Sequence, residues 1–284
     1  MPAPFARSAI AATIVAVVLV AAGVAAYQAV RKLTAALPPA PGCSANVGGP
    51  YPLDFGQAGI AATIAGVADR EELPEQAVTV AYATALQESD LQNLAHGDRD
   101  SVGVFQQRPS QGWGSAAQIQ NPVYATTRFF QALVQVPRYT KISVAQAAQD
   151  VQHSADGSAY GQYAFLGSQL ADDFTGRLPH QVTCWYTPVS TATPDLTSTS
   201  QALHAAFGQR LHASASRHTL LVTPRRGDAW TVAGWLVTHA QQYRLSEVRY
   251  AGYVWKAANG SMGWQRDANG THSNSTALNN LVAG

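Results

Sequence analysis

A carboxylic acid placed where water is scarce is the first feature of this chain with chemical potential. Glu88 follows the apolar run Val78-Thr79-Val80-Ala81-Tyr82-Ala83-Thr84-Ala85-Leu86 and stands directly before a polar loop. Taking a carboxylate out of water disfavours its charged form. A glycosidase needs such an acid, one that still holds a proton near neutral pH and delivers it to the departing glycosidic oxygen. Glu88 is therefore the candidate general acid, although its position alone equally suits a solvated residue at a helix end. Other chemistries find no support. The histidines at 96, 153, 180, 204, 212, 218, 239 and 272 show neither His-x-x-x-His nor His-Glu-x-x-His spacing, and neither cysteine has a neighbouring partner, so no metal site is expected. No Gly-x-Ser-x-Gly elbow, Walker loop or dinucleotide fingerprint occurs. Ser89 is thus set aside as a hydrolase nucleophile, and no cofactor is implied.

The elements that position Glu88 are helical. From about Asp54 to Phe174 the chain is rich in Ala, Leu and Gln, with apolar residues at helical spacing. Ile60, Ile64 and Val67 define one core-facing helix. Pro74 opens the next, since proline is tolerated in a first turn; this helix is apolar on nearly every side, as a central buried helix is. Further helices are expected over 122–136, 144–153 and 160–173. Between Ser89 and Trp113 the turn formers Asn93, Gly97, Asp98, Asp100 and Gly103 interrupt the pattern, and Val102-Gly103-Val104-Phe105 reads as a strand of a small hairpin.

This stretch resembles the lysozyme-like superfamily, in particular soluble lytic transglycosylases and goose-type lysozymes. The resemblance rests on Glu88-Ser89 at a helix end, followed after a loop by Gly103-Val104-Phe105-Gln106, and covers roughly residues 54 to 174. The continuation Gln107-Arg108-Pro109-Ser110-Gln111-Gly112-Trp113-Gly114 is similar to a branch found in exported actinobacterial proteins. The resemblance implies cleavage of the MurNAc–GlcNAc bond of peptidoglycan with Glu88 as catalytic acid. Gly103 lets backbone approach closely, and Gln106 suits sugar hydroxyls or N-acetyl groups because it both donates and accepts. Ser89 orients Glu88 or simply caps a turn. Phe105 and Trp113 are either sugar-stacking surfaces or core.

A second carboxylate decides the reaction. A hydrolase uses one to activate water or to stabilise an oxocarbenium-like state, and Asp100, or with less support Asp98, is the candidate; both also suit plain turns. The family resemblance implies that a lytic transglycosylase needs no second acid, because the same Glu takes a proton from the sugar's 6-hydroxyl and closes a 1,6-anhydro ring. The chain departs from the family's Ala-Tyr-Asn-Ala-Gly stretch. The nearest counterpart is Val151-Gln152-His153-Ser154-Ala155, where Gln152 replaces the asparagine and the tyrosine is missing unless Tyr160 or Tyr163 takes its place.

Around this domain the sequence sets the context. Ser8 to Val30 is almost wholly apolar, flanked by Arg7 and by Arg31-Lys32; a run of roughly 20 residues spans a bilayer. Residues 1–36 are accordingly read as a membrane anchor or a signal segment, and 37–53 as a Pro-rich linker. Cys43 and Cys184 bracket the catalytic stretch and read as one disulfide of an exported protein, worth on the order of 4 kcal/mol in the chain-entropy model. The Thr/Ser/Pro stretch 186–200 reads as a second linker, and 201–284 as a small α+β accessory unit with strands near 220–222 and 248–250 and a helix over 229–243. That unit is distantly similar to zinc D-Ala-D-Ala peptidases but lacks their Asp-His-x-His strand, which leaves binding of envelope proteins as its role.

The expected fold is thus a mainly α lysozyme-like domain, 54–185, with a small β-hairpin, followed by a small α+β C-terminal domain and preceded by a transmembrane helix. The expected partners are peptidoglycan, the membrane through the N-terminal helix, and envelope proteins; the expected place is the outer face of the cell membrane or the wall. With 284 residues and a net charge of +1 there is no basic stripe for nucleic acid. A non-catalytic wall-binding or assembly protein of the same shape is the alternative, and Glu88 speaks against it.

Overall fold

Two strands lie where a proline-rich spacer was expected. β1 (Gly42–Asn46) pairs antiparallel with β2 (Pro50–Leu53) on one side and with β3 (Thr183–Trp185) on the other. In that register Cys43 lies opposite Cys184, and the two form a disulfide. The bridge fastens strands whose cysteines are 141 residues apart in sequence. These features come from a computed structural model that describes residues 17–31, 40–154, 157–189, 192–225, 227–267 and 281–284. The chain divides into two units, Met1–Ala40 and Pro41–Gly284.

In the first unit, residues 17–31 form helix α1. Among the described residues no helix is long and apolar enough to cross a membrane. The expected transmembrane helix is corrected accordingly; the part of the expected span over residues 8–16 lies outside the described residues.

In the second unit the helices follow their caps and apolar patterns. Asp54 caps α2 (Phe55–Arg70) through a reciprocal box with Gln57. α3 (Glu75–Ser89) starts after Pro74 and is buried continuously from Ala77 to Leu86, because Ala and Val let neighbours close in from all sides. The short α4 (Ala116–Ile119) leads to α5 (Pro122–Leu133), which opens with proline at its first position and an Asn121 cap. Next come α6 (Val144–Gln152), capped by Ser143, and α7 (Ala164–Phe174), entered through a 3-10 segment at Gly157–Tyr163. α2, α5, α6 and α7 all pack on α3.

The rest of the chain is more than the small appended unit expected from sequence. After α8 (Leu196–Phe207), β4 (His212–Ala215), β5 (Leu220–Thr223), β6 (Glu247–Tyr250), β7 (Tyr253–Lys256), β8 (Gln265–Arg266) and β9 (Leu281–Ala283) form a six-stranded antiparallel sheet. Its order is β4-β5-β9-β6-β7-β8, so the last strand of the chain fills the centre. Helices α9 (Ala229–Thr238) and α10 (Ala240–Tyr243) stand between β5 and β6 in sequence, and α9 packs against α2. Side chains join the sheet region to the helical region. The Trp255 indole donates to the Cys184 carbonyl at 2.8 Å, Trp264 donates to Val182 O at 3.0 Å, and Thr231 donates to Thr175 O at 2.6 Å. Arg225 pairs with Asp69 and Glu72 of the α2 end. The expected hairpin near Val102 reduces to two isolated bridges, Leu94 with Gly103 and Val102 with Gln107.

Candidate active site

Glu88 is the penultimate residue of α3, half-buried, and α3 stops one residue later because Asp90 and Leu91 both take left-handed backbone conformations. The reversal sends the chain into the irregular segment 91–115. Ser89 is buried, and its hydroxyl bonds backbone groups and not the Glu88 carboxyl. Its hydroxyl donates to Val104 O at 2.7 Å and lies 3.1 Å from Ala85 O, fastening the returning loop to the helix end. Gly103 carries a φ of +81°, and a Cβ there would lie 2.9 Å from Ile119 O, so only glycine fits this crossing.

The Glu88 carboxyl is held by residues far along the chain. Tyr160, from the 3-10 segment before α7, donates its hydroxyl to Glu88 Oε1 at 2.6 Å. Gln152, the last residue of α6, donates its amide to the same Oε1 at 3.2 Å and to Phe105 O at 2.8 Å. Among the described residues no protein group bonds to Oε2. Burial, reinforced by the hydrogen bond to Glu88 and opposed by one from Ser154, pushes the Tyr160 hydroxyl far above the usual phenol range. Tyr160 is therefore a donor at every physiological pH. With both donors on Oε1, Oε2 is the carboxyl oxygen left for a ligand.

The other residues singled out from sequence separate into loop scaffolding and cleft wall. Asp100 accepts from Arg108 Nε at 2.8 Å, from the Ser110 amide at 2.7 Å and from the Ser110 hydroxyl at 2.9 Å. Arg108 first, then Ser110, hold its carboxyl well below the usual carboxylate range. Asp98 is exposed and paired only loosely with Arg99 at 3.8 Å. Phe105 is fully buried and stacks on Phe129 with ring centroids 4.4 Å apart, so its ring belongs to the core and presents no face to a sugar. Gln106 folds back on its own loop: its amide donates to Gly103 O at 3.1 Å, and its oxygen accepts from Ser101 Oγ at 3.0 Å. Trp113 is half-buried and lies on the wall of a cleft of about 930 Å³.

That cleft runs between α5, α6 and the 111–113 segment, with Gln131, Gln135, Arg128, Asp150, Gln152 and His153 among its walls. Gln152 belongs both to this wall and to the Glu88 cluster, so the acid and the cleft share a side chain. Side-chain amides, one indole and few charges make a surface suited to neutral polyhydroxylated ligands. No protein-family model matches the chain, and no curated protein matches it. Among the described residues no group of His, Cys, Asp and Glu is arranged to hold a metal ion.

Glu88 and Gln152 stand out in the sequence as candidates, Arg128 carries no such signal, and Tyr160 enters only as one of two substitutes for a missing tyrosine. The signal for Tyr160 was faint, because Gly157-Ser158-Ala159-Tyr160-Gly161 carries no helical apolar period.

Proposed function

We propose that this chain cleaves the β-1,4 MurNAc–GlcNAc bond of peptidoglycan, with Glu88 as general acid and then general base. The observation that carries the reading is the Glu88 carboxyl with two donors on one oxygen and, among the described residues, none on the other, at the end of a buried helix and sharing Gln152 with a large amide-lined cleft. In the first step the proton on Oε2 passes to the glycosidic oxygen, the C1–O bond breaks, and positive charge develops at the sugar ring. Tyr160 and Gln152 stabilise the carboxylate left behind.

The engagement of Asp100 with Arg108 and Ser110 favours the single-carboxylate route of a lytic transglycosylase over hydrolysis. In that route the Glu88 carboxylate takes the proton from the sugar's 6-hydroxyl, O6 attacks C1, and a 1,6-anhydro ring closes while the acid is regenerated. No water is consumed. The disulfide suits an exported protein that works outside the cytoplasm. The test is incubation of the full chain with purified peptidoglycan, comparing wild type with Glu88→Gln and weighing the products. Loss of a general acid should slow release by roughly 100- to 10,000-fold, and the products should be lighter than hydrolytic ones by one water. Equal activity of the two proteins would reject the role of Glu88.

A further inference from the structure

A cation on the cleft wall has no counter-ion among the described residues. Arg128 projects from α5; its Nη1 donates to Gln131 Oε1 at 3.1 Å, and its Nη2 reaches Gly112 O only at 3.4 Å. Its Nε is buried and has no hydrogen-bond partner. Among the described residues no carboxylate pairs with the guanidinium. Asp150 stands on the same cleft but accepts instead from the Gln146 amide at 2.7 Å. Each Nη carries a second N–H beyond these contacts, and a guanidinium edge of two parallel N–H groups matches a carboxylate.

We infer that Arg128 is a specificity residue that binds a carboxylate of the wall polymer in the cleft beside Glu88. This rests on the glycosidase reading above, since the cleft meets the Glu88 cluster at Gln152. The glycan backbone is otherwise neutral. Its carboxylates come from two sources, the lactyl group of a peptide-free muramyl residue and the stem peptide. Both have the same chemistry, and either one distinguishes the wall polymer from uncharged polysaccharides with the same β-1,4 linkage.

The test measures binding by calorimetry to the full chain carrying Glu88→Gln. The probes are a GlcNAc–MurNAc disaccharide with its free lactyl carboxylate, a disaccharide-peptide with free stem carboxylates, and the methyl ester of each. With Arg128 present, one acid should bind about tenfold or more tightly than its ester, the size of a charge-assisted hydrogen bond; the probe that shows the gain names the source. Arg128→Gln should bring that ratio to about one without changing the ester's affinity, and Arg128→Lys should keep part of it. Equal binding of acid and ester when Arg128 is present would overturn the inference. So would an undiminished ratio in Arg128→Gln, or equal loss of acid and ester binding in that variant. Failure of the glycosidase reading is seen separately, as unchanged peptidoglycan cleavage by Glu88→Gln.

Discussion

The hydroxyl of Tyr160 lies 2.6 Å from Glu88 Oε1, a contact between residues 72 positions apart that sets which carboxyl oxygen is free. Tyr160→Phe removes that donor while keeping the ring in its buried site. Because the bond strengthens as Glu88 gives up its proton, the loss should fall on kcat. A hydrogen bond to a charged group is worth about 1.5–3 kcal/mol, so kcat should drop roughly ten- to a hundredfold with KM little changed. Steady-state kinetics on soluble glycan strands measures the split, and an unchanged kcat would remove Tyr160 from the site.

Asp100 is expected to matter for the loop and not for the chemistry. Asp100→Asn weakens the clamp on Arg108 and Ser110, so limited proteolysis should cut segment 91–115 faster. Turnover by the intact protein should stay within a few-fold of wild type. A loss beyond a hundredfold at unchanged protease resistance would instead make Asp100 the second carboxylate of a hydrolase.

Two enclosed groups should give the stability curve a hidden structure in acid. His239 stacks on Trp235 with ring centroids 3.9 Å apart, and burial pushes its pKa down to about 4. Asp173 is buried, accepts from the Asn46 amide at 2.7 Å, and burial raises its pKa to about 6. Between pH 4 and 6 the unfolded chain binds the His239 proton and the folded one does not, so this group makes stability rise with pH. Over the same window the folded chain holds the Asp173 proton and the unfolded chain does not, so this group makes stability fall with pH. Each effect spans roughly 3 kcal/mol across its full range, and the two nearly cancel. Relative to wild type, His239→Phe should therefore lose stability as pH rises from 4.5 to 6, and Asp173→Asn should gain it. Urea unfolding at several pH values checks both slopes, and parallel curves for all three proteins would contradict both assignments.

The helices were the legible part of this fold. Pro74, Asn121-Pro122 and Ser143 mark helix starts through backbone chemistry that acts within a single turn, and the apolar run before Glu88 shows directly as a buried helix. The sheets were harder to read. β1 and β2 lie in a stretch whose prolines suggest a spacer; they pair with each other, and β1 also pairs with β3, which lies beyond the helical region. The appended α+β unit was underestimated for a similar reason: its central strand β9 is three residues long and gains its place from neighbours on both sides. Phe105 was ambiguous because a lone aromatic has the same letter in a core as on a sugar site, and only its stacking on Phe129 separates the two.

Local chemistry, written in residue order, was enough to nominate Glu88 and to pair Cys43 with Cys184 as the two cysteines available, while Gln152 was marked only by the resemblance, as the counterpart of the family's asparagine. Which oxygen of Glu88 is held, by Tyr160 as well as Gln152, whether Asp100 faces that carboxyl or Arg108, and that Arg128 has no counter-ion among the described residues were settled by packing. Hydrogen bonds and ion pairs reach only about 3 Å. Residues dozens of positions apart acquire such partners only after helices and strands have docked, and no short-range pattern encodes the result.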